Sequence, residues 1–274
     1  MKEKTLKKIL LSIGLVLLCA FVLIPFIWMM IVSFAENPDF LGNQKFDFTL
    51  KNYRDVLTLE SLHFPDYLRN SLIVAGIASV ISVIIGALGA YAVTRFKFRG
   101  KIILVLSVLA LSMFPQISIV GYLFKFMSRI GWINSYGALI FPYIAYTLPL
   151  SLWILLSYFS QIPIEMDEAA MVDGAGRFRT LFRVIAPVAL PGFFSAVLLL
   201  FMFSFNEFLF ALMLTSDHSA RTVPVGIALF QGLHGETPWG YIMAASVISC
   251  IPVMMIALLA QRYIVQGLTG GALK

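Results

Sequence analysis

The sequence predicts an all-α membrane protein of six transmembrane helices, and three observations lead there. Of 274 residues, 60% are hydrophobic and only 12% are charged, with a mean hydropathy of +0.91; a soluble domain carries roughly 25% charge. Apolar runs long enough to cross a hydrocarbon core of about 30 Å recur at six places along the chain. The basic residues between those runs fall unequally on the two sides, as they do in polytopic membrane proteins. This composition excludes a disordered chain and an ordinary soluble enzyme. The net charge of +6 belongs to membrane-flanking loops rather than to a nucleic-acid surface.

The runs lie at 9–34, 71–94, 102–123, 135–158, 188–214 and 241–260. The first follows Lys2, Lys4, Lys7 and Lys8 and could pass for a signal peptide. At 26 residues it exceeds the roughly 7–15 of a signal core, so it is read as an uncleaved first span. Pro115 interrupts the third run, and Pro142 and Pro149 the fourth; kinks are tolerated where neighbours satisfy the freed carbonyls. With the N-terminus inside, the basic groups at 2–8, 95–101, 177–183 and 262–274 face the cytoplasm, 13 of the 20 Lys and Arg. Both termini are then cytoplasmic, in a cell or inner membrane. Residues 35–70 and 215–240 form external loops, and 159–187 an internal one. The whole chain, 1–274, reads as one transmembrane domain.

No catalytic motif is present. There is no nucleotide-binding G-x-x-x-x-G-K-[S/T] loop, no H-E-x-x-H and no metal-spaced cluster, so neither a cofactor nor a metal is expected. Cys19 and Cys250 lie within apolar runs. His63, His218 and His234 read as solvated loop residues.

The internal loop is the most informative segment. Pro163 suits a first helical turn. Glu165, Asp167 and Glu168 complement the positive end of the helix dipole. Gly174 stands where a left-handed C′ residue would end the helix. The pattern predicts a short helix over 163–173, with Ile162, Met166, Ala169 and Ala170 as its apolar stripe. Such a helix either docks onto a partner or lies on its own bundle or at the lipid interface.

Glu168-Ala169-Ala170, Gly174, Val184-Ile185 and Pro187 resemble the E-A-A loop of the membrane subunits of binding-protein-dependent ABC importers. Val184 and Ala186 stand where Ile and Leu are usual. Asn70-Ser71-Leu72, the run Ala90–Gly100, Asn206-Glu207-Phe208 and the tail from Gln261 to Lys274 are similar to the carbohydrate-uptake branch, which includes the smaller maltose-transporter membrane subunit. Phe205 replaces the common Trp, and Gly270 a usual Ala.

The resemblance implies a type I ABC importer permease fold with a cytoplasmic coupling helix. It implies a second membrane permease subunit, a dimer of ATP-binding subunits that supplies hydrolysis, an extracytoplasmic solute-binding protein and a sugar substrate. Glu168, Ala169, Ala170, Asp173 and Gly174 would contact the ATPase. So would the tail residues Gly267, Thr269, Gly270 and Gly271, which otherwise read as a frayed end. Asn206 and Glu207 keep two readings: a polar group on the translocation path, or a clasp between spans, the latter favoured. A non-sugar solute is the nearest alternative. A secondary transporter or channel, and a membrane enzyme or receptor, are the other classes; co-purification with an ATPase subunit separates them.

Overall fold

A computed structural model describes residues 2–36, 47–230 and 237–270. Expectations on His234 and Gly271 lie outside those residues. Among the described residues the elements are helical, apart from one isolated bridge between Ala35 and Phe48. They are α1 (Lys2–Ser33), α2 (Lys51–Thr58), α3 (Phe64–Arg95), α4 (Lys101–Leu111), α5 (Gln116–Arg129), α6 (Tyr136–Phe159), α7 (Glu165–Val172), α8 (Arg177–Val188), α9 (Leu190–Phe205), α10 (Leu209–Leu214), α11 (Val223–Ala228) and α12 (Trp239–Gly270). Among the described residues four helices are long and apolar enough to cross a membrane, or up to six spans if each of two sharply bent pairs counts as one. The chain divides into two compact units, residues 1–64 with 227–251, and 65–226 with 252–274.

In the first unit the end of α1 is held by a small polar knot. Asn52 Nδ2 donates to the carbonyls of Ser33 and Ala35 at 2.9 and 2.7 Å. Tyr241 Oη donates to Asp55 Oδ2 at 2.9 Å. These bonds fasten α2 both to the end of α1 and to the start of α12. Most of the α1 surface is apolar and exposed, as suits a lipid-facing helix.

The second unit is built on α3 and α6. Ala78, Ser82, Gly86 and Ala90 recur every fourth residue, so they form one small-residue ridge along α3. A Cβ at Gly86 would overlap Ser151 Oγ; the close approach of the helices therefore requires glycine there. Ser82 Oγ and Thr147 Oγ1 lie 2.8 Å apart, and Ser151 Oγ donates to the Ser82 carbonyl at 2.9 Å. These hydroxyls satisfy each other where water is scarce. Pro142 and Pro149 stay within a continuous α6.

The two bends have local causes. Pro115 caps α5 in extended conformation, and α4 and α5 meet at 86°; the residue before a proline is pushed out of the helical region. Between α8 and α9 the chain turns by 82° at Ala189, just ahead of Pro191. The fifth apolar run, expected as one helix over 188–214, comes as α9 and α10 with a break at 206–208.

Candidate functional site

The segment carrying the E-A-A pattern folds as α7, slightly shorter than expected, because Pro163 and Ile164 supply only the turn bonds that start it. Gly174 has φ +80. Its N–H reaches the Met171 carbonyl at 3.0 Å, and the Ala175 N–H reaches the Ala170 carbonyl at 2.9 Å. This is a Schellman close, which needs a left-handed residue at C′ and satisfies the terminal carbonyls. The helix end is thus fixed by backbone geometry.

The apolar stripe is partly corrected. Ile162 and Ala170 are buried and Met166 is half-buried, but Ala169 is exposed. Asp167, three residues before Ala170, takes the inward position at 1% exposure. A carboxylate can sit there because it is paired. Arg95 Nε lies 2.9 Å from Asp167 Oδ2, with both side chains almost fully buried; the contact is coulombic rather than an aligned hydrogen bond. Tyr91 Oη donates to Asp167 Oδ1 at 2.9 Å, and Arg95 Nη2 donates to the Ile162 carbonyl at 3.0 Å. Beside them the Arg177 guanidinium stands 5.4 Å from the Phe96 ring centre, within cation–π range. The last turn of α3 therefore grips the loop from below.

The outward side of α7 is different. Glu165, Glu168, Ala169, Asp173 and Gly174 are exposed. Val172 is 88% exposed, and Phe178 just beyond is 72% exposed. Acidic groups around bare apolar side chains form a surface suited to a partner.

The break at 206–208 divides the polar pair. Glu207, 7% exposed, accepts from Phe210 N at 2.8 Å, Ala211 N at 3.1 Å and Tyr143 Oη at 2.8 Å. It caps the orphan N–H groups of α10 and ties them to α6. Asn206 is exposed and donates to the Met202 carbonyl at 2.8 Å. With Gln116, Tyr146, Met202, Phe203 and Phe208 it lines an open cavity of about 530 Å³. Along α12 the backbone stays helical through Gly267, Thr269 and Gly270.

A model of the family described as the binding-protein-dependent transport system inner membrane component matches residues 78–270. The chain belongs to that family. The permease is 60% identical to the trehalose/maltose transport system permease protein MalG of Thermococcus litoralis, covering 100% of this chain and 99% of that one. It is 38% identical to the trehalose transport system permease protein SugB of Mycobacterium tuberculosis, over 94% of each. In fold it is similar to a bacterial ABC transporter involved in import of the polysaccharide alginate. That match has a TM-score of 0.78 at 20% identity, over 96% of this chain and 98% of that one. The chain is accordingly an ABC-importer permease of the multi-pass type I fold, and not an enzyme.

Sequence reasoning missed several anchors of the permease. Asn70 Nδ2 donates to the carbonyls of His218 and Arg221, both at 2.9 Å, while its Oδ1 accepts from Tyr136 Oη at 2.6 Å. Ser71 Oγ accepts from Val223 N at 2.7 Å. The Asn70-Ser71 pair quoted for the resemblance is thus the clamp of the 215–222 segment. Tyr91 and Arg95, one helical turn apart, carried a signal too, since both sit in a quoted stretch. Tyr143 reads in the sequence only as an aromatic that, like Tyr146, could stack on a sugar, and nothing there marks it as the partner of Glu207.

Proposed function

We propose that this permease lines the path of a sugar-class solute in an ATP-driven importer and receives its driving force through α7. The observation that carries the coupling role is the geometry of that helix. It is short, closed by a left-handed glycine, anchored inward through Asp167 and bare outward at Glu168, Ala169 and Val172. A surface decoration has no need of so fixed an end or of a bare valine ringed by acids on its outer face. The outer face would sit in a cleft of a separate ATP-binding subunit, with Glu168 meeting a cation there. Asp173 and Gly174 would set the exit angle, and Ala170 keeps the helix close to its own bundle. The tail at Gly267–Gly271 would approach the same ATPase dimer.

Sugar is supported by the relatives, which are named for trehalose/maltose and for trehalose, and by a permease named for sulfoquinovosyl glycerol. Asn206 supplies a carboxamide on a cavity that also holds the Tyr146 ring; hydrogen-bonding amides beside aromatic faces suit a polyhydroxylated ring. Glu207 belongs to the clasp. A second permease subunit and a solute-binding protein complete the assembly. An alginate transporter has been seen with a pentasaccharide-bound periplasmic protein. Both termini face the cytoplasm, on the strength of the basic-residue asymmetry.

Reconstitution tests the reading. With sister permease, ATPase and loaded binding protein, the permease supports ATP-dependent sugar uptake; alone it hydrolyses no ATP. Glu168→Lys and Gly174→Val reach normal membrane levels but lose uptake, and Glu168→Lys also loses the ATPase on purification. Uptake driven by an ion gradient without ATP would overturn the proposal.

A further inference from the structure

The Arg95–Asp167–Tyr91 cluster lies outside both the E-A-A pattern's outward face and the span break. We infer that it is the joint through which movement of α7 is transmitted to α3. This rests on the reading of α7 as the ATPase-seated helix, and it names the residues that receive the movement on the other side.

Asp167 and Glu168 are neighbours in the chain, yet one is buried and the other exposed. A push on the outer face therefore reaches the inner face through one turn of a helix whose end is already fixed at Gly174. Inward, α7 otherwise packs Met166 against the core around Ile162, Leu181 and Ile185 and buries Ala170. Small apolar contacts hold a helix down but resist sliding poorly, because dispersion is non-directional. Packing is also incomplete on one side of this corner. A cavity of about 470 Å³ lined by Thr94, Lys101, Gln161 and Pro163 adjoins Arg95.

What remains is directional. Tyr91, near the end of α3, donates an aligned hydrogen bond to Asp167 Oδ1 at 2.9 Å, and Arg95 Nε adds a coulombic contact to Oδ2 at 2.9 Å. Arg95 also grips the Ile162 carbonyl ahead of α7 at 3.0 Å. These anchors fix the direction of the helix as well as its distance. A buried ion pair adds little net stability, since desolvation offsets the attraction. It keeps the carboxylate beside Arg95 while the two hydrogen bonds set the orientation, so α7 and the end of α3 move as one body. Arg95 and Asp167 act as positioning residues, through their hold on α7.

The test uses the complete reconstituted importer and reads three quantities: ATPase retained on purification, ATP hydrolysed, and sugar moved per ATP. Asp167→Asn is expected to keep the ATPase at the parental ratio and to keep hydrolysing ATP. Sugar moved per ATP should fall about ten-fold, within the usual range of coupling between sites. Asp167→Glu, which restores the charge, should recover most of it. If Asp167→Asn fails to accumulate in the membrane, Tyr91→Phe carries the test, because it keeps the ion pair and removes one anchor. It should lower the ratio about five-fold, the low end of such coupling. Parental sugar per ATP in the variant that accumulates would overturn the inference. Loss of the ATPase from the Asp167→Asn complex would overturn it too, since the pair would then only shape the outer face. The docking reading fails separately, if Glu168→Lys keeps its ATPase and transports normally.

Discussion

Glu207→Ala should destabilise the permease strongly, and the structure says by how much. The carboxylate satisfies three donors: Phe210 N, Ala211 N and Tyr143 Oη, at 2.8, 3.1 and 2.8 Å. Each donor left without a partner in a buried setting costs about 1–3 kcal/mol. Water from the adjoining cavity can reach some of them, so the low end of each range applies, giving about 3 kcal/mol in all. Removing a buried carboxylate returns part of that desolvation, while the void left by the side chain adds to the loss. A net of about 3 kcal/mol is a factor of roughly 150 in the folding equilibrium. Glu207→Gln is milder. Its carboxamide oxygen still accepts one backbone N–H, and its NH₂ can donate to a reoriented Tyr143 hydroxyl. One donor is lost, about 1–2 kcal/mol. Tyr143→Phe removes one bond and leaves the α10 cap intact, about 1 kcal/mol. Combined with Glu207→Ala it should cost less than the sum, because the two share one interaction. The assay is unfolding of the purified permease in mixed detergent micelles, followed by tryptophan fluorescence, beside membrane level and sugar uptake. If Glu207→Ala unfolds within about 0.5 kcal/mol of the parent, the size expected of an unspecialised surface change, the clasp is refuted.

Gly86→Leu should abolish accumulation in the membrane, since even a Cβ there overlaps Ser151 Oγ; Gly76→Ala, where a Cβ meets nothing, should leave the level unchanged on an immunoblot. Gly174→Asn should keep most uptake while Gly174→Val loses it, because Asn tolerates φ +80 and a β-branched residue pays about 1–3 kcal/mol there. Asn70→Ala should leave the carbonyls of His218 and Arg221 without their donor and speed proteolysis of the 215–222 segment; cleavage at the parental rate would remove the clamp role. Cysteines at Glu60 and Ser216 should react with an impermeant reagent from outside, and one at Gly176 only after the membrane is opened; labelling of all three from one side would sink the assigned orientation.

The parts of this protein legible in its sequence are those set by local backbone chemistry and by the bilayer. Span-length apolar runs announce helices whatever they pack against, so α1, α3, α6 and α12 could be read directly. Gly174 could be read as well, because a left-handed C′ position is a property of the glycine and its immediate neighbours. The α9–α10 break could not. Its sequence, Phe205-Asn206-Glu207-Phe208, sits in an apolar run and reads as one helix with two polar residues. The break exists because a hydroxyl 64 residues away, on Tyr143, helps hold the carboxylate where it can cap the next turn. The same holds at α7. Periodicity groups Ala169 with Ile162, Met166 and Ala170 on one apolar stripe, since alanine is apolar, and leaves Asp167 off it, since aspartate is charged. The order is reversed because Arg95, 72 positions earlier, makes the buried aspartate the better inward residue. Polarity patterns record the average surroundings of a side chain in water or lipid. They do not record that two buried charges can be brought together by the fold. In a membrane protein that omission matters most, because polar groups buried in pairs are the ones that bend spans, fix loops and carry movement between them.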